Sequence, residues 1–502
     1  MKQYLIALDL GTSGTKASLF DPDGSLISSC TQNYDVHYGP DGVAEQDPED
    51  WWKAVCRAIR EITAGHAAEV EAISFSGQMM GCLPVDAHGQ PLRPSIIWAD
   101  TRSRQQEKEL IFHIGRDRGY EILGHRISCN YSLEKIMWLK ANEPDVYRHT
   151  AFFLQAKDYM IFRMTGQFVT DYSDGSGTNG MDLRAGTWSP VIFDAADVDI
   201  RKMPPLHAST DVVGTLTHEA AAALGLPESV KVIIGGGDGP CATLGAGCIH
   251  DGQYYLTFGT SAWIAGTADE PRQDKNRVLM TFSHVIPGKF SPTGTMQAAG
   301  SSYSYFKNTF CGSESERAAK EGCSVYDLLD EMAESVPTGS DGLLYLPYLM
   351  GERSPRWNPD ASGAFLGMRM SHTKAHYIRA TLEGIALNLN VILEAQREHA
   401  DIHELILTGG GAKGDAVAHI LADVTGCRII RPDHVEEATS MAAAVIAGVG
   451  AGIYDDFDAI GRYIHYGRPI DPDPENHAVY EKEMQVFNDA YEALKPLYPE
   501  LG

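Results

Sequence analysis

The chain has 502 residues, enough for two or more domains with full hydrophobic cores. Its net charge of −26 excludes the dense basic face that nucleic acid requires, so an anionic ligand must be held by backbone N–H groups, a few cations or a metal ion. The nine cysteines are scattered without CxxC or His/Cys spacing and no apolar run approaches a membrane span, which predicts a reduced, cytoplasmic protein without a membrane partner.

The first apolar run, residues 4–8, ends at Asp9 and leads into Gly11-Thr12-Ser13-Gly14-Thr15-Lys16. This predicts a strand ending in a carboxylate, then a tight turn rich in phosphate donors. Residues 16–20 read as a second strand, whereas a P-loop would lead into a helix and needs GxxxxGK[ST]. Asp21-Pro-Asp-Gly24 is a turn into a third strand over 26–34. Asp47 as N-cap and Pro48 at the first helical position start a helix that carries Trp51, Val55 and Ile59 on one face. A buried strand over 70–75 delivers Gln78-Met79-Met80-Gly81, and Trp98-Ala-Asp100-Thr-Arg102 follows. Residues 95–160 predict mostly helix, including 131–139 and 158–164, and residues 175–180 predict a loop. A strand over 230–234 runs into Gly235-Gly-Gly-Asp238-Gly239-Pro240, with a helix near 241–247.

A second half opens near residue 246. Residues 253–258 and 262–265 form a hairpin around Gly259-Thr260-Ser261, mirroring the opening hairpin. A long helix over 374–398 precedes a strand over 404–407 that delivers Thr408-Gly409-Gly410-Gly411. Helices follow near 413–425 and 436–450. The repeated plan predicts two similar α/β domains facing a cleft.

The chemistry lies in the turns. Asp9 suits a Mg²⁺ ion held by one or two carboxylates, waters and phosphate oxygens, or else it caps its turn. The two Gly-Thr-Ser turns let backbone approach an anion from both walls of a cleft. Asp238 is placed to accept a proton from a hydroxyl attacking phosphorus, with flanking glycines leaving room for a substrate; its other use is as a helix N-cap. The Gly409–411 run suits a flat adenine or ribose, or else close helix–strand packing. Gln78, Met79, Met80, Trp98 and Asp100 offer the mixture of apolar plate and polar groups that a polyhydroxylated substrate wants, or else core and a surface ion pair. No GxGxxG occurs in a strand–helix context, which disfavours a dinucleotide site.

These motifs resemble the FGGY family of carbohydrate kinases, within the actin-like ATPase fold. The residues that carry the resemblance run from Asp9–Lys16 and Glu45–Trp52 through Gly77–Gly81 and Lys157-Asp158-Tyr159 to Gly235–Asp238. They continue with Phe258–Ser261, Leu346–Arg353, Gly363–Glu383 and Gly409–Ala412. The family's first signature is present only in part, around Ser132, Lys135 and Trp138. The resemblance implies two ribonuclease H-like domains, 1–245 for sugar and base and 246–502 for nucleotide. It implies Asp238 as general base and Asp9 beside Mg²⁺. It places Thr12, Ser13, Lys16, Gly259, Thr260 and Ser261 on the ATP phosphates, and Gly410, Gly411 and Ala412 near the adenine. Partners are a small sugar and ATP, with a homodimer suggested by the family. Xylulokinases are the most similar members, which implies D-xylulose as acceptor. They carry Met-His-Gly where this chain has Met79-Met80-Gly81, and replacing that imidazole by a thioether removes a hydrogen-bond partner for the sugar.

Overall fold

The structure is a computed structural model that describes residues 3–433 and 437–501. The chain opens with β1 (Tyr4–Leu10), β2 (Gly14–Phe20) and β3 (Leu26–Asn33), an antiparallel meander. Asp47 accepts from the Glu49 N–H and Pro48 takes the first helical position, so α1 (Pro48–Ile62) starts where the sequence predicts. β4 (Val70–Gly77) lies parallel to β1. α2 (Ser132–Asn142), α3 (Ala156–Thr165) and the one-turn α4 (Tyr172–Ser176) follow. α4 takes the first part of the segment expected to be loop, because Asp171 caps it through the Ser173 and Asp174 N–H groups. β5 (Val212–Thr215), β6 (Lys231–Ile233) and β7 (Gly236–Gly237) complete a seven-stranded sheet of order β5-β6-β4-β1-β2-β3, with β7 on β4. α5 (Asp238–Gly245) follows directly, so the helix expected near 241–247 starts earlier, at Asp238 itself.

The second half repeats this order. β8 (Tyr254–Phe258) and β9 (Ala262–Gly266) form the hairpin, joined by β10 (Met280–Ser283) and β11 (Phe290–Met296). α6 (Gly300–Phe310) and the long α7 (Lys374–Arg397) lead to β12 (Glu404–Thr408), parallel to β8. α8 (Asp415–Thr425), β13 (Arg428–Ile430) and α9 (Ala438–Ala451) close the core. The expected start of the last helix at 436 lies outside the described residues. The six-stranded sheet runs β10-β11-β9-β8-β12-β13, so the β1-β2 hairpin beside parallel β4 is matched by the β8-β9 hairpin beside parallel β12.

β1 is buried on both faces, as its unbroken apolar run requires. Ile6 and Leu8 pack toward α1, while Leu5 and Ala7 meet α9, whose run Ala442–Ala444 lets helix and sheet approach closely. A helix late in the chain therefore covers the first sheet, and its first turn lands beside Asp9. No helix among the described residues is long and apolar enough to cross a membrane.

Candidate active site

The turn between β1 and β2 has every carbonyl tied from behind. Gly11 O accepts from the Tyr34 hydroxyl at 2.6 Å, Thr12 O from Gln46 Nε2 at 2.7 Å and Ser13 O from the Tyr34 N–H at 3.2 Å. A peptide whose C=O is fixed on one side presents its N–H on the other, which leaves the Thr12 and Ser13 N–H groups the geometry of an anion-binding turn. The turn between β8 and β9 is held the same way. Gly259 O accepts from Gly300 N at 2.9 Å, Thr260 O from Ala299 N and Ser301 N at 3.1 and 3.0 Å, and Ser261 O from Gly259 N at 2.9 Å.

Between the turns sit two carboxylates. Asp9, at the carboxyl end of β1, accepts from the Thr439 hydroxyl at 2.8 Å. Burial raises its pKa, opposed by that hydrogen bond and by Lys16. Asp238 opens α5 and faces the cleft. Its position deep between protein walls, with Asp9 nearby, pushes its carboxyl up to about 7. The carboxylate is open to the cavity, so entering water screens this shift, and it is fully expressed once ligands fill the space. The backbone before it is anchored from below. Lys157 is fully buried, with Nζ 2.7 Å from Asp158, 2.9 Å from Asp171 and 2.9 Å from Asp174. Burial raises the Asp158 and Asp174 carboxyls despite that ammonium. Asp171 accepts from the Ser173 and Ser209 hydroxyls, and Ser173 Oγ in turn accepts from the Gly237 N–H at 2.9 Å.

Two cavities meet these groups. One, of about 410 Å³, is walled by Asp9, Met79, Met80 and Asp238 from the first half and by Tyr255, Trp263, Arg353, Trp357 and Thr439 from the second. The other, of about 540 Å³, lies within the second half between Gly259, Thr260, Gly300, Tyr303, Tyr326, Gly410 and Gly411. A polar-tipped chamber across both sheets and a flat glycine-floored slot beside it suit a small polar acceptor and a nucleotide.

Comparison with known proteins agrees. The N-terminal domain of the FGGY family of carbohydrate kinases matches residues 4–245 and its C-terminal domain matches residues 254–451. The chain belongs to the FGGY family of carbohydrate kinases. It is 33% identical to a xylulose kinase of Bacillus subtilis (strain 168), covering 99% of this chain and 98% of that protein. It is 30% identical to a gluconokinase of the same organism, covering 100% and 98%. A xylulose kinase structure from Lactobacillus acidophilus superposes with a TM-score of 0.92 at 27% identity over all of both chains. The two-domain α/β kinase fold is therefore that of this family.

Against the FGGY frame several expected sugar contacts move. Asp100 is fully buried, its carboxylate spent on the Ala44 N–H at 2.7 Å and on Arg102, which also meets Glu45; it is a structural ion pair and not a cavity residue. Gln78 is buried behind the first turn, donating to Gln46 Oε1 at 2.8 Å, and Trp98 Nε1 donates to Thr12 Oγ1 at 2.8 Å; neither lines the cavity beside Asp238, and both brace the turn. Met79 and Met80 do line it, with Met80 in a left-handed conformation (φ 64°) and its carbonyl held by Lys135. Lys16, expected on phosphates, has its ammonium on Glu437. Gly410 is open to the second cavity, whereas Gly411 packs on the Phe258 ring and Ala412 is buried beneath. The glycines before Asp238 do not make room for substrate. A side chain at Gly235 would enter the Phe75 backbone, and one at Gly237 would meet Met79.

Sequence reasoning missed Arg126, Trp357, Glu437 and Thr439. All four lie in irregular segments or at a helix start with no motif around them, and they join the site only through the fold of the second half onto the first.

Proposed function

We propose that this chain transfers the γ-phosphoryl group of ATP to a hydroxyl of an open-chain five- or six-carbon sugar, with Asp238 as general base. The observation that supports this most is Asp238 itself. It is a carboxyl pushed up to about 7 on a cavity walled by both halves, between two turns whose N–H groups face inward. A base poised near neutrality takes the hydroxyl proton as the oxygen attacks phosphorus. The Thr12, Ser13, Thr260 and Ser261 backbone and hydroxyl groups would hold the phosphates and the charge that builds on them. Gly410 leaves the floor of the second cavity bare for the nucleoside.

Mg²⁺, when bound, supplies neutralisation of the phosphate charge. Asp9 and Glu437 would hold it: Asp9 is raised by burial, and Glu437 Oε2 is buried without a partner among the described residues, a donor set that suits a hard cation completed by waters and phosphate oxygens. D-xylulose, giving D-xylulose 5-phosphate, is the acceptor supported by the relatives named xylulose kinase. A sugar acid is a second reading, favoured by Arg126 and Arg353 on the wall of the sugar cavity and by the relative named gluconokinase. ADP release with Mg²⁺ over ketopentoses, aldoses, polyols and sugar acids tests the reading. Saturable, acceptor-dependent release is expected; release that ignores every acceptor would overturn it.

A further inference from the structure

The cavity beside Asp238 has two unlike ends. One carries the acceptors Asp9 and Asp238. The other carries two guanidinium groups that no carboxylate among the described residues pairs with, and an indole N–H. The Arg126 guanidinium lies over the Trp357 ring, 4.5 Å from its centroid. Its Nε donates to Arg277 O at 3.0 Å and its Nη2 to Asn276 O at 3.1 Å, which fixes the plane and leaves Nη1 uncommitted. Asp274 acts on this group through space, but its oxygens accept from the Leu279 and Asn276 N–H groups and the Tyr120 hydroxyl. Arg353 donates through Nε to Gln297 Oε1 at 2.9 Å. Among the described residues neither guanidinium has an ion-pair partner. The Trp357 Nε1 donor is buried and has no acceptor among the described residues.

This is out of place on general grounds. The chain has 67 acidic residues against 41 Lys and Arg, so a carboxylate partner is easily found. A partly buried guanidinium left unpaired is costly, and an orphaned indole N–H adds to that cost. Burial already works against the Arg126 charge. The wall between the two ends is Met79, Tyr131, Met280 and Phe282, an apolar cluster with no counter-charge. Met80 adds a thioether there, which offers hydroxyls little.

We infer that Arg126 and the Trp357 indole N–H bind a carboxylate, so that the acceptor is a sugar acid whose anionic end rests there and whose reacting hydroxyl reaches Asp238. Arg is the side chain whose planar fork best matches a carboxylate, and the carbonyls of Asn276 and Arg277 hold that fork ready. The inference rests on the kinase reading above and, for the same site, takes the sugar-acid acceptor over D-xylulose.

Calorimetric binding of D-gluconate against D-glucitol and of D-xylonate against xylitol, to wild type, Arg126→Gln, Arg126→Lys and Trp357→Phe, is the test. Each acid should bind wild type at least tenfold tighter than its alditol. Arg126→Gln should erase that preference, Arg126→Lys should restore part of it, and Trp357→Phe should weaken the acid more than the alditol. Equal binding of acid and alditol to wild type, or a preference that survives Arg126→Gln in a protein of unchanged melting temperature, overturns the inference. ADP release on the same four compounds and on D-xylulose separates the two readings. Acids bound through Arg126 with no acceptor phosphorylated at all would remove the kinase assignment, and acids bound but not phosphorylated while D-xylulose turns over would overturn the sugar-acid inference. Turnover of D-xylulose with no preference for acids would uphold the kinase and overturn the carboxylate site.

Discussion

The two Gly-Thr-Ser turns occupy matching places in the two sheets and expose the same N–H groups, yet they are held by different materials. In the first turn the carbonyls are tied mainly by side chains, the Tyr34 hydroxyl and the Gln46 amide, with Gln78 and Trp98 behind. In the second they are tied by backbone, the Ala299, Gly300 and Ser301 N–H groups at the start of α6. A side-chain brace can be removed one bond at a time. A backbone brace survives most substitutions and fails only where a Cβ cannot fit.

Gly300→Ala should have the largest effect on ATP binding, because the new Cβ would overlap the Gly259 carbonyl oxygen and push the turn into the second cavity. Overpacking of this kind costs about 1–3 kcal/mol, so the KM for ATP should rise by roughly tenfold to a hundredfold while the first turn is untouched. Unchanged ATP affinity would mean that α6 does not position the turn. Gln46→Leu should come next. It strands Thr12 O, Gln78 Nε2 and the buried Trp51 Nε1, which now share this one amide. Each stranded group costs about 1–3 kcal/mol, and that cost falls chiefly on the melting temperature, while ATP affinity drops less than in Gly300→Ala. Tyr34→Phe should be mildest, about 1 kcal/mol, since it removes the bond to Gly11 O and leaves the Tyr34 N–H on Ser13 O. If it proves the most damaging of the three, the first turn depends on its opening residue and the comparison must be redrawn.

The strands, both turns and Asp238 were legible because each is a local pattern: an apolar run, then Gly with Ser, Thr or Asp. The brace on the second turn was not, because Ser301 stands 41 residues from the Thr260 it holds. Asp100 was misread because Asp-Thr-Arg looks the same in a binding wall and in a buried ion pair; only the Ala44 N–H and Glu45, brought over by the fold, tell them apart. Met79 and Met80 line the cavity, but the Arg126–Trp357 stack on the same wall joins segments from the two halves and has no signature in either. The Gly235–Gly237 run was read for the right residues with the wrong purpose: the glycines admit Phe75 and Met79, and so let Asp238 sit close to Asp9.

Asp238 links the site to pH in two ways. A carboxyl whose folded pKa lies above its unfolded value near 4 is protonated more readily in the folded chain, so its contribution to stability is present below about 4 and is lost as pH rises through about 7. Its use as a base runs the other way, since turnover needs the carboxylate. Asp9→Asn removes the like charge that acts on Asp238 and should move the ascending limb of the rate profile to lower pH.

The most direct test of Asp238 as the base is kcat/KM for the acceptor against pH in wild type and in Asp238→Asn, with ATP binding measured alongside. The account predicts a wild-type rate that climbs with pH and levels off above about 7, and a variant about 10²- to 10⁴-fold slower with that limb gone and ATP affinity kept. A variant that turns over at the wild-type rate, or that keeps the same inflection, would contradict it.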